Sequence, residues 1–149
     1  DINERFGVEY GDRILKTVAD DISFQLTGNQ KAYRMTGDEF LIEDLVESNV
    51  FGIGPDENDA DELFHRIRKA VDESICKSGY EAVYTISAGI ISSENTSVRG
   101  YKELMKYSQF ALSEAKKRGK NRAYQFQMED YEKQFHWDIK DLNYIFSQL

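Results

Sequence analysis

The feature that most constrains the fold of this chain is a glycine-bearing turn between two strand-like segments. Residues 31–35 have the pattern of a strand and residues 40–42 that of the start of another, so residues 36–39 are predicted to form the tip of a β-hairpin. The tip carries two adjacent carboxylates, Asp38 and Glu39. A tight turn lets the backbone approach a ligand, and acids placed there can hold a metal. Taken by itself, however, Gly-Asp-Glu is better explained as an ordinary polar turn, because short motifs often occur by chance.

Composition favours one compact domain and restricts the partners that the chain can bind. Of the 149 residues, 40% are hydrophobic and 13% aromatic, which is enough to bury a core. The net charge of −8 argues against a nucleic-acid polymer as partner, whereas a mononucleotide needs only a local basic site. No long apolar or signal-like run is present, so we expect a cytoplasmic segment without membrane contact. The single cysteine, Cys76, is predicted to be a small buried hydrophobe on a helix.

Helical and strand patterns alternate along the chain. Apolar residues recur at helical spacing in residues 12–26, 63–75 and 100–118. Gly119 is predicted to stop the last of these helices. Two further β-rich segments, residues 84–92 and residues 122–126, are predicted to be strands. The mixture predicts a domain that contains both helices and sheet.

The C-terminal part differs from this domain, which is predicted to span residues 1–127. Residues 128–149 carry apolar side chains at spacings of about three or four and are predicted to form an amphipathic helix. Such a helix needs an apolar partner surface. Two alternatives remain open: the helix packs back on the domain, or it links the domain to a downstream one.

The hairpin turn resembles the signature of the GGDEF family, the diguanylate cyclases that condense two GTP molecules into cyclic di-GMP, with Thr36 in place of the first glycine. Three more segments match in the family's order. Residues 3–15 resemble the stretch that holds guanine, residues 85–90 the strand behind the hairpin, and residues 115–121 the helix end that reaches the phosphates. The resemblance implies an α/β (α+β) palm-like nucleotidyl-cyclase fold, with a central, mostly antiparallel sheet flanked by helices. The family's first strand is expected to be missing, because the chain begins at Asp1.

The resemblance also implies roles for the turn and the basic helix end. Asp38 is the expected ligand of Mg²⁺ or Mn²⁺, Glu39 the second catalytic acid, and Gly37 a point where the backbone approaches the substrate. Lys116 and Lys120 lie four residues apart at a helix C-terminus and are therefore predicted to share one helix face, where both ammonium groups can meet the β- and γ-phosphates. Taken alone, two lysines at a helix C-terminus are better explained as residues that complement the helix dipole.

Guanine presents donors at N1 and N2 and an acceptor at O6, so a carboxylate and an amide together can distinguish it from adenine. The resemblance assigns these groups to Asp12 and Asn3, with Leu15 lining the base pocket. Asp12, which follows Gly11, also fits the position of a helix N-cap.

Several positions depart from the family pattern. Thr36 is expected to resist a positive φ because it is β-branched. Lys120 replaces an arginine that could bind phosphate with two parallel hydrogen bonds. Thr27 and Gln30 occupy the places of the charged pair that binds inhibitory product, so feedback through that site is expected to be absent. Other departures in the helix before Lys116 are Gln109 and Ser113.

The expected function is that of a homodimeric, Mg²⁺-dependent diguanylate cyclase that acts on GTP. The alternative is a catalytically degenerate GTP-binding or dimerising module, which regulates a downstream domain such as a cyclic di-GMP phosphodiesterase. Without the aspartate that the family carries on its first strand, the 149 residues alone are expected to be inactive.

Overall fold

The computed structural model describes residues 8–44, 57–79, 84–92 and 100–134. Contacts divide the chain into two units, residues 1–86 and residues 87–149, and each unit is described by itself. In chain order the described elements are α1 (Val8–Gln25), β1 (Gln30–Arg34), β2 (Phe40–Asp44), α2 (Glu57–Lys77), β3 (Ala88–Ile90), α3 (Tyr101–Lys117), β4 (Ala123–Gln125) and a final helical stretch over residues 128–134.

The first unit combines two packed helices with the predicted hairpin. Strands β1 and β2 pair antiparallel, with Gln30 opposite Asp44 and Arg34 opposite Phe40. Helices α1 and α2 pack through apolar residues at helical spacing, and the Ser74 hydroxyl of α2 donates a hydrogen bond of 3.0 Å to Asp21 of α1. The buried core of this unit consists of Ile14, Ile22, Leu63, Ile67, Val71 and Ile75.

The second unit places α3 directly against a short parallel pair of strands. Strand β3 pairs with β4, with Ala88 opposite Ala123. A Cβ added to Gly89 would lie 2.3 Å from the backbone nitrogen of Leu112, so the strand can approach the helix this closely only with glycine at that position. The core here consists of Tyr107, Ala111, Ala115, Tyr124 and Phe126.

The described part of the predicted tail helix, residues 128–134, packs on this second core. The Tyr131 ring lies 5.1 Å from the ring of Tyr107 and 5.2 Å from that of Phe110, measured between centroids, with the edge-to-face geometry that aromatic pairs favour. Packing on the domain is therefore observed for the beginning of the tail. Residues 135–149 lie outside the described part, so the domain boundary and the linker role stay predictions.

Both units mix helices with strands, which confirms the predicted α+β class. The described strands form one antiparallel and one parallel pair. None of the helices in the described part of the chain is long and apolar enough to cross a membrane.

Three local predictions are corrected. Helix α1 begins at Val8, so Asp12 lies inside the helix, and its interpretation as an N-cap is wrong. Of the strand predicted over residues 84–92, only Ala88–Ile90 forms, because its partner β4 offers just three residues. Cys76 is exposed because it lies about 100° around α2 from the buried stripe that ends at the preceding residue.

Candidate functional site

The hairpin tip is a closed turn held by two hydrogen bonds. The Met35 amide donates to the Glu39 carbonyl at 2.9 Å, and the Arg34 guanidinium donates to the Gly37 carbonyl at 3.2 Å. Gly37 adopts a φ of +67°, in the left-handed region. The turn presents Asp38 as an exposed carboxylate, as expected for a ligand-binding tip.

Thr36 has no positive φ, in agreement with the resistance expected of a β-branched residue. Among the described residues, the only ones other than glycine with positive φ are Lys120 and Asn121, so the left-handed position of the turn belongs to Gly37 alone. A β-branched residue is tolerated at position 36 because the turn asks for no unusual φ there. The exchange of the family's first glycine for Thr36 therefore leaves the turn geometry unstrained.

We expect Gly37→Ala to lower the free energy of unfolding by about 1–2 kcal/mol, because an alanine must then take the left-handed conformation. Its Cβ would meet no atom within 4 Å, so strain alone would act. Thr36→Gly is the matched change and is expected to cost about 0.5–1 kcal/mol through chain entropy, with no relief of strain. Urea unfolding of both variants measures this. A stabilised Thr36→Gly protein would contradict the assignment of the strained position.

The two acids of the turn fit a divalent cation. Asp38 is exposed and forms no ion pair or hydrogen bond with another residue that the structure describes, and Glu39 next to it is half-buried. Mg²⁺ prefers oxygen ligands, and one or two carboxylates suffice when substrate phosphates and water complete its coordination. Asp38 with Glu39 is such a donor set.

Helix α1 carries the predicted base-binding residues. Asp12 is exposed and Leu15 half-buried. Because they lie three positions apart, they are neighbours on the helix surface, where a carboxylate beside an apolar side chain can face the edge and the plane of one base. Asn3, predicted to complete this set, lies outside the described residues.

The basic side chains at the C-terminal end of α3 are of two kinds: some form ion pairs with a carboxylate of the protein and others do not. Lys117 and Arg118 both pair with Glu114, at 3.7 and 3.4 Å. Lys116 and Lys120 are exposed and form no ion pair with any residue in the described part of the chain. Their charges are thus available to an anionic ligand.

Helix α3 ends before Lys120, so the prediction that Lys116 and Lys120 share one helix face is wrong. Backbone hydrogen bonds of the loop after α3 hold Lys120 in place. The Gly119 amide donates to the Lys116 carbonyl at 3.4 Å and the Lys120 amide to the Ala115 carbonyl at 3.1 Å, which is a Schellman cap with Gly119 at its left-handed position. Lys120 itself has a φ of 62° and the next residue, Asn121, one of 50°. Such conformations are uncommon outside glycine and concentrate at functional sites.

Ser87 supports this strained pair, since its hydroxyl accepts the Asn121 amide at 3.1 Å. The amides of Lys120 and Asn121 are therefore bonded within the protein, and anion binding by this loop falls to side chains. Sequence reasoning missed both Ser87 and Arg34. No local pattern identifies them, because each is defined by a hydrogen bond to a loop that the sequence does not place.

The predicted site residues divide between the two units. The hairpin and α1 supply one set in the first unit: Asp12, Leu15, Gly37, Asp38 and Glu39. The second unit supplies Lys116 and Lys120.

An open groove of about 460 Å³ lies where α1 meets β1, lined by residues that include Thr27, Gln30 and Lys31. The Gln30 side chain is used within the turn: its Oε1 accepts the Thr27 amide at 3.0 Å, and its Nε2 donates to Asp44 at 3.0 Å. Thr27 and Gln30 thus stand in place of the charged pair of the family's product site, and the Gln30 side-chain amide forms hydrogen bonds within the protein instead. The absence of product feedback stays a prediction.

Known proteins resemble this chain over most of its length. The sequence profile described as "Diguanylate cyclase, GGDEF domain" matches residues 1–122. Diguanylate cyclase A of Treponema denticola is 33% identical over 122 residues, covering 81% of this chain and 30% of the relative. Diguanylate cyclase DosC of Escherichia coli is 29% identical over 122 residues, covering 82% and 25%.

A third relative carries a different activity in its name. Cyclic di-GMP phosphodiesterase NbdA of Pseudomonas aeruginosa is 30% identical over 123 residues, covering 82% of this chain and 14% of the relative. The chain thus spans less than a third of the length of each of these three relatives. The profile match, together with the acid-bearing hairpin turn, shows that this chain belongs to the GGDEF domain family.

Proposed function

We propose that this chain is the GTP-binding domain of a cytoplasmic diguanylate cyclase, which condenses two GTP molecules into cyclic di-GMP with Mg²⁺ or Mn²⁺. The observation that carries the proposal is the closed hairpin turn, which presents the Asp38 carboxylate exposed beside Glu39. Two relatives named diguanylate cyclase support it.

The chemistry suits the residues present. In this reaction the 3′-hydroxyl of each GTP loses its proton and forms a bond to the α-phosphorus of the other, and the bond from that phosphorus to the oxygen bridging to the β-phosphate breaks, so two pyrophosphates leave for each cyclic product. A bound Mg²⁺ would offset negative charge on the phosphate oxygens, and Asp38 would hold it. Glu39 supports the metal or the attacking hydroxyl. Lys116 and Lys120 bind the β- and γ-phosphates and stabilise the leaving pyrophosphate.

Base selection falls to α1 in this proposal. The Asp12 carboxylate accepts hydrogen bonds from guanine N1 and N2, and Leu15 contacts the base. Adenine presents no matching pair of donors, so it leaves the carboxylate unsatisfied. Because each domain binds one GTP and the product contains two, the active form is a homodimer.

A second candidate is a regulatory module that binds GTP without turning it over and controls a neighbouring phosphodiesterase domain. The relative named as a cyclic di-GMP phosphodiesterase favours it, as do Gln109 and Ser113 at positions where the family usually has other residues. Mg²⁺-dependent formation of cyclic di-GMP by the naturally expressed protein separates the two candidates.

The base assignment is tested by calorimetry with GTP and ATP. We expect GTP to bind more tightly, and Asp12→Ala to remove most of the difference, because a hydrogen bond to a charged group contributes about 1.5–3 kcal/mol. Asp20→Ala is the matched control, since Asp20 is also an exposed aspartate of α1, about 12 Å further along the helix axis. Unchanged preference in Asp12→Ala, or equal loss in both variants, would remove Asp12 from the pocket.

A further inference from the structure

The C-terminal helical stretch is tied to the loop that carries Lys120 through a single carboxylate. Oδ2 of Asp130 lies 2.6 Å from the Tyr124 hydroxyl and 3.2 Å from Nη2 of Arg118. Asp130 belongs to the tail helix, Tyr124 to β4, and Arg118 is the C-cap residue of α3. One side chain of the tail thus joins the helix end to the strand that follows the loop.

Arg118 is held on three sides. Its Nε lies 3.4 Å from Glu114, its guanidinium carbon lies 4.6 Å from the centre of the Tyr124 ring, and its Nη2 reaches Asp130. These are the stacked and paired contacts that a planar guanidinium favours. Arg118 is the residue at which the turn to Lys120 begins, so fixing its side chain restrains the start of the strained segment through the backbone.

The Tyr124 hydroxyl strengthens the link. Burial, and then the hydrogen bond to Asp130, raise the pKa of this hydroxyl above its usual range, so it stays protonated and donates to the carboxylate. Tyr124 is only 7% exposed, so little water competes for that hydrogen bond. Asp130 is therefore held in place by a rigid donor as well as by Arg118.

The apolar side of the tail helix is held independently. The Tyr131 ring packs against Tyr107 and Phe110, and the ammonium group of Lys106 lies 5.7 Å from its centre. Removing the Asp130 carboxylate should therefore leave the helix docked. A half-exposed ion pair adds little to overall stability, so we expect the contribution of Asp130 to be geometric.

We propose that Asp130 is a positioning residue for phosphate binding: through Arg118 it fixes the left-handed Lys120 segment, so the docked C-terminal helix sets the affinity of the domain for the nucleotide triphosphate. This inference rests on the proposed GTP-binding function. It extends the site to a helix outside the segment matched by the family profile, which ends at residue 122. A segment that follows the tail helix could therefore change the position of Lys120 by moving this helix.

The test compares Asp130→Asn with Glu129→Gln in the full 149-residue chain. Both substitutions remove one negative charge from the same helical turn, but Glu129 is 81% exposed and pairs only with Lys133 among the described residues, at 3.4 Å. Hydrogen exchange of the Lys120 and Asn121 amides, followed by NMR, reports the loop without any ligand. Calorimetry with GTP and with GMP, which lacks the β- and γ-phosphates, reports the consequence for binding.

For Asp130→Asn, but not for Glu129→Gln, we expect faster exchange of the Lys120 and Asn121 amides and about three- to tenfold weaker binding of GTP. The affinity for GMP should be unchanged in both variants. Equal loss for GTP and GMP would indicate general loosening of the fold and overturn the proposal. So would equal exchange rates in the two variants. If the unaltered chain binds no GTP, the proposed function fails, and faster exchange in Asp130→Asn alone would still support the link between tail and loop.

Discussion

Replacing Asp38 with asparagine is expected to lower the rate of cyclic di-GMP formation by the naturally expressed protein about 10²-fold or more, because the reaction depends on an oriented cation at the phosphates. Asparagine keeps the shape of the side chain and removes its charge. In the isolated chain, Mg²⁺ should strengthen GTP binding, and Asp38→Asn should remove this gain, as measured by calorimetry with and without Mg²⁺.

The control for this change is Asp20→Asn, which removes the same charge from another exposed position of the first unit. Neither variant should alter the melting temperature, because neither aspartate forms an ion pair with another residue of the described part. A normal response to Mg²⁺ in Asp38→Asn would show that the turn does not hold the cation. Loss of the Mg²⁺ response without any product in the unaltered protein would favour the regulatory module.

The hairpin was predictable because its signals are local. A glycine between two alternating segments specifies a turn whatever the rest of the chain does, and the observed register pairs Arg34 with Phe40 on either side of it. The helical segments were predictable for the same reason, since spacing alone marks their buried faces. Helix α1 begins at Val8, earlier than the apolar spacing predicted, and includes the buried Gly11.

Features that depend on distant partners were not predictable. Strand β3 is short because a strand is as long as the partner it pairs with, and β-propensity says nothing about that partner. The exposed side of α2 at Cys76 depends on which stripe meets α1. The spacing of apolar residues predicted the tail helix, but the packing of this helix on the domain depends on the aromatic surface around Phe110, which the spacing does not reveal.

The loop after α3, residues 118–121, has one feature that the sequence predicts and one that depends on distant partners. Gly119 signals the end of α3, and the structure confirms it as the left-handed residue of the cap. Nothing in the sequence signals that Lys120 itself adopts positive φ, because lysine has no preference for that region. The strain is accepted because the cap hydrogen bonds and the Ser87 hydroxyl determine the segment from both sides.

Removing either phosphate lysine is expected to weaken GTP binding about tenfold or more, because a hydrogen bond between charged groups contributes roughly 1.5–3 kcal/mol. Lys116→Gln and Lys120→Gln test this by calorimetry. Glutamine removes the charge and keeps a polar side chain that is one atom shorter than that of lysine, and at position 120 it keeps the backbone cost of the left-handed conformation. The effect should vanish with GMP, which has no β- or γ-phosphate for these side chains to meet.

The matched control is Lys117→Gln, next to Lys116 in the last turn of α3. Lys117 pairs with Glu114 at 3.7 Å, so its charge is partly compensated inside the protein, and its loss should change GTP affinity by less than about twofold. Equal losses in all three variants would indicate only a diffuse electrostatic attraction for the nucleotide. Lys120→Arg should act in the opposite direction and strengthen GTP binding, since a guanidinium can bind one phosphate with two parallel hydrogen bonds.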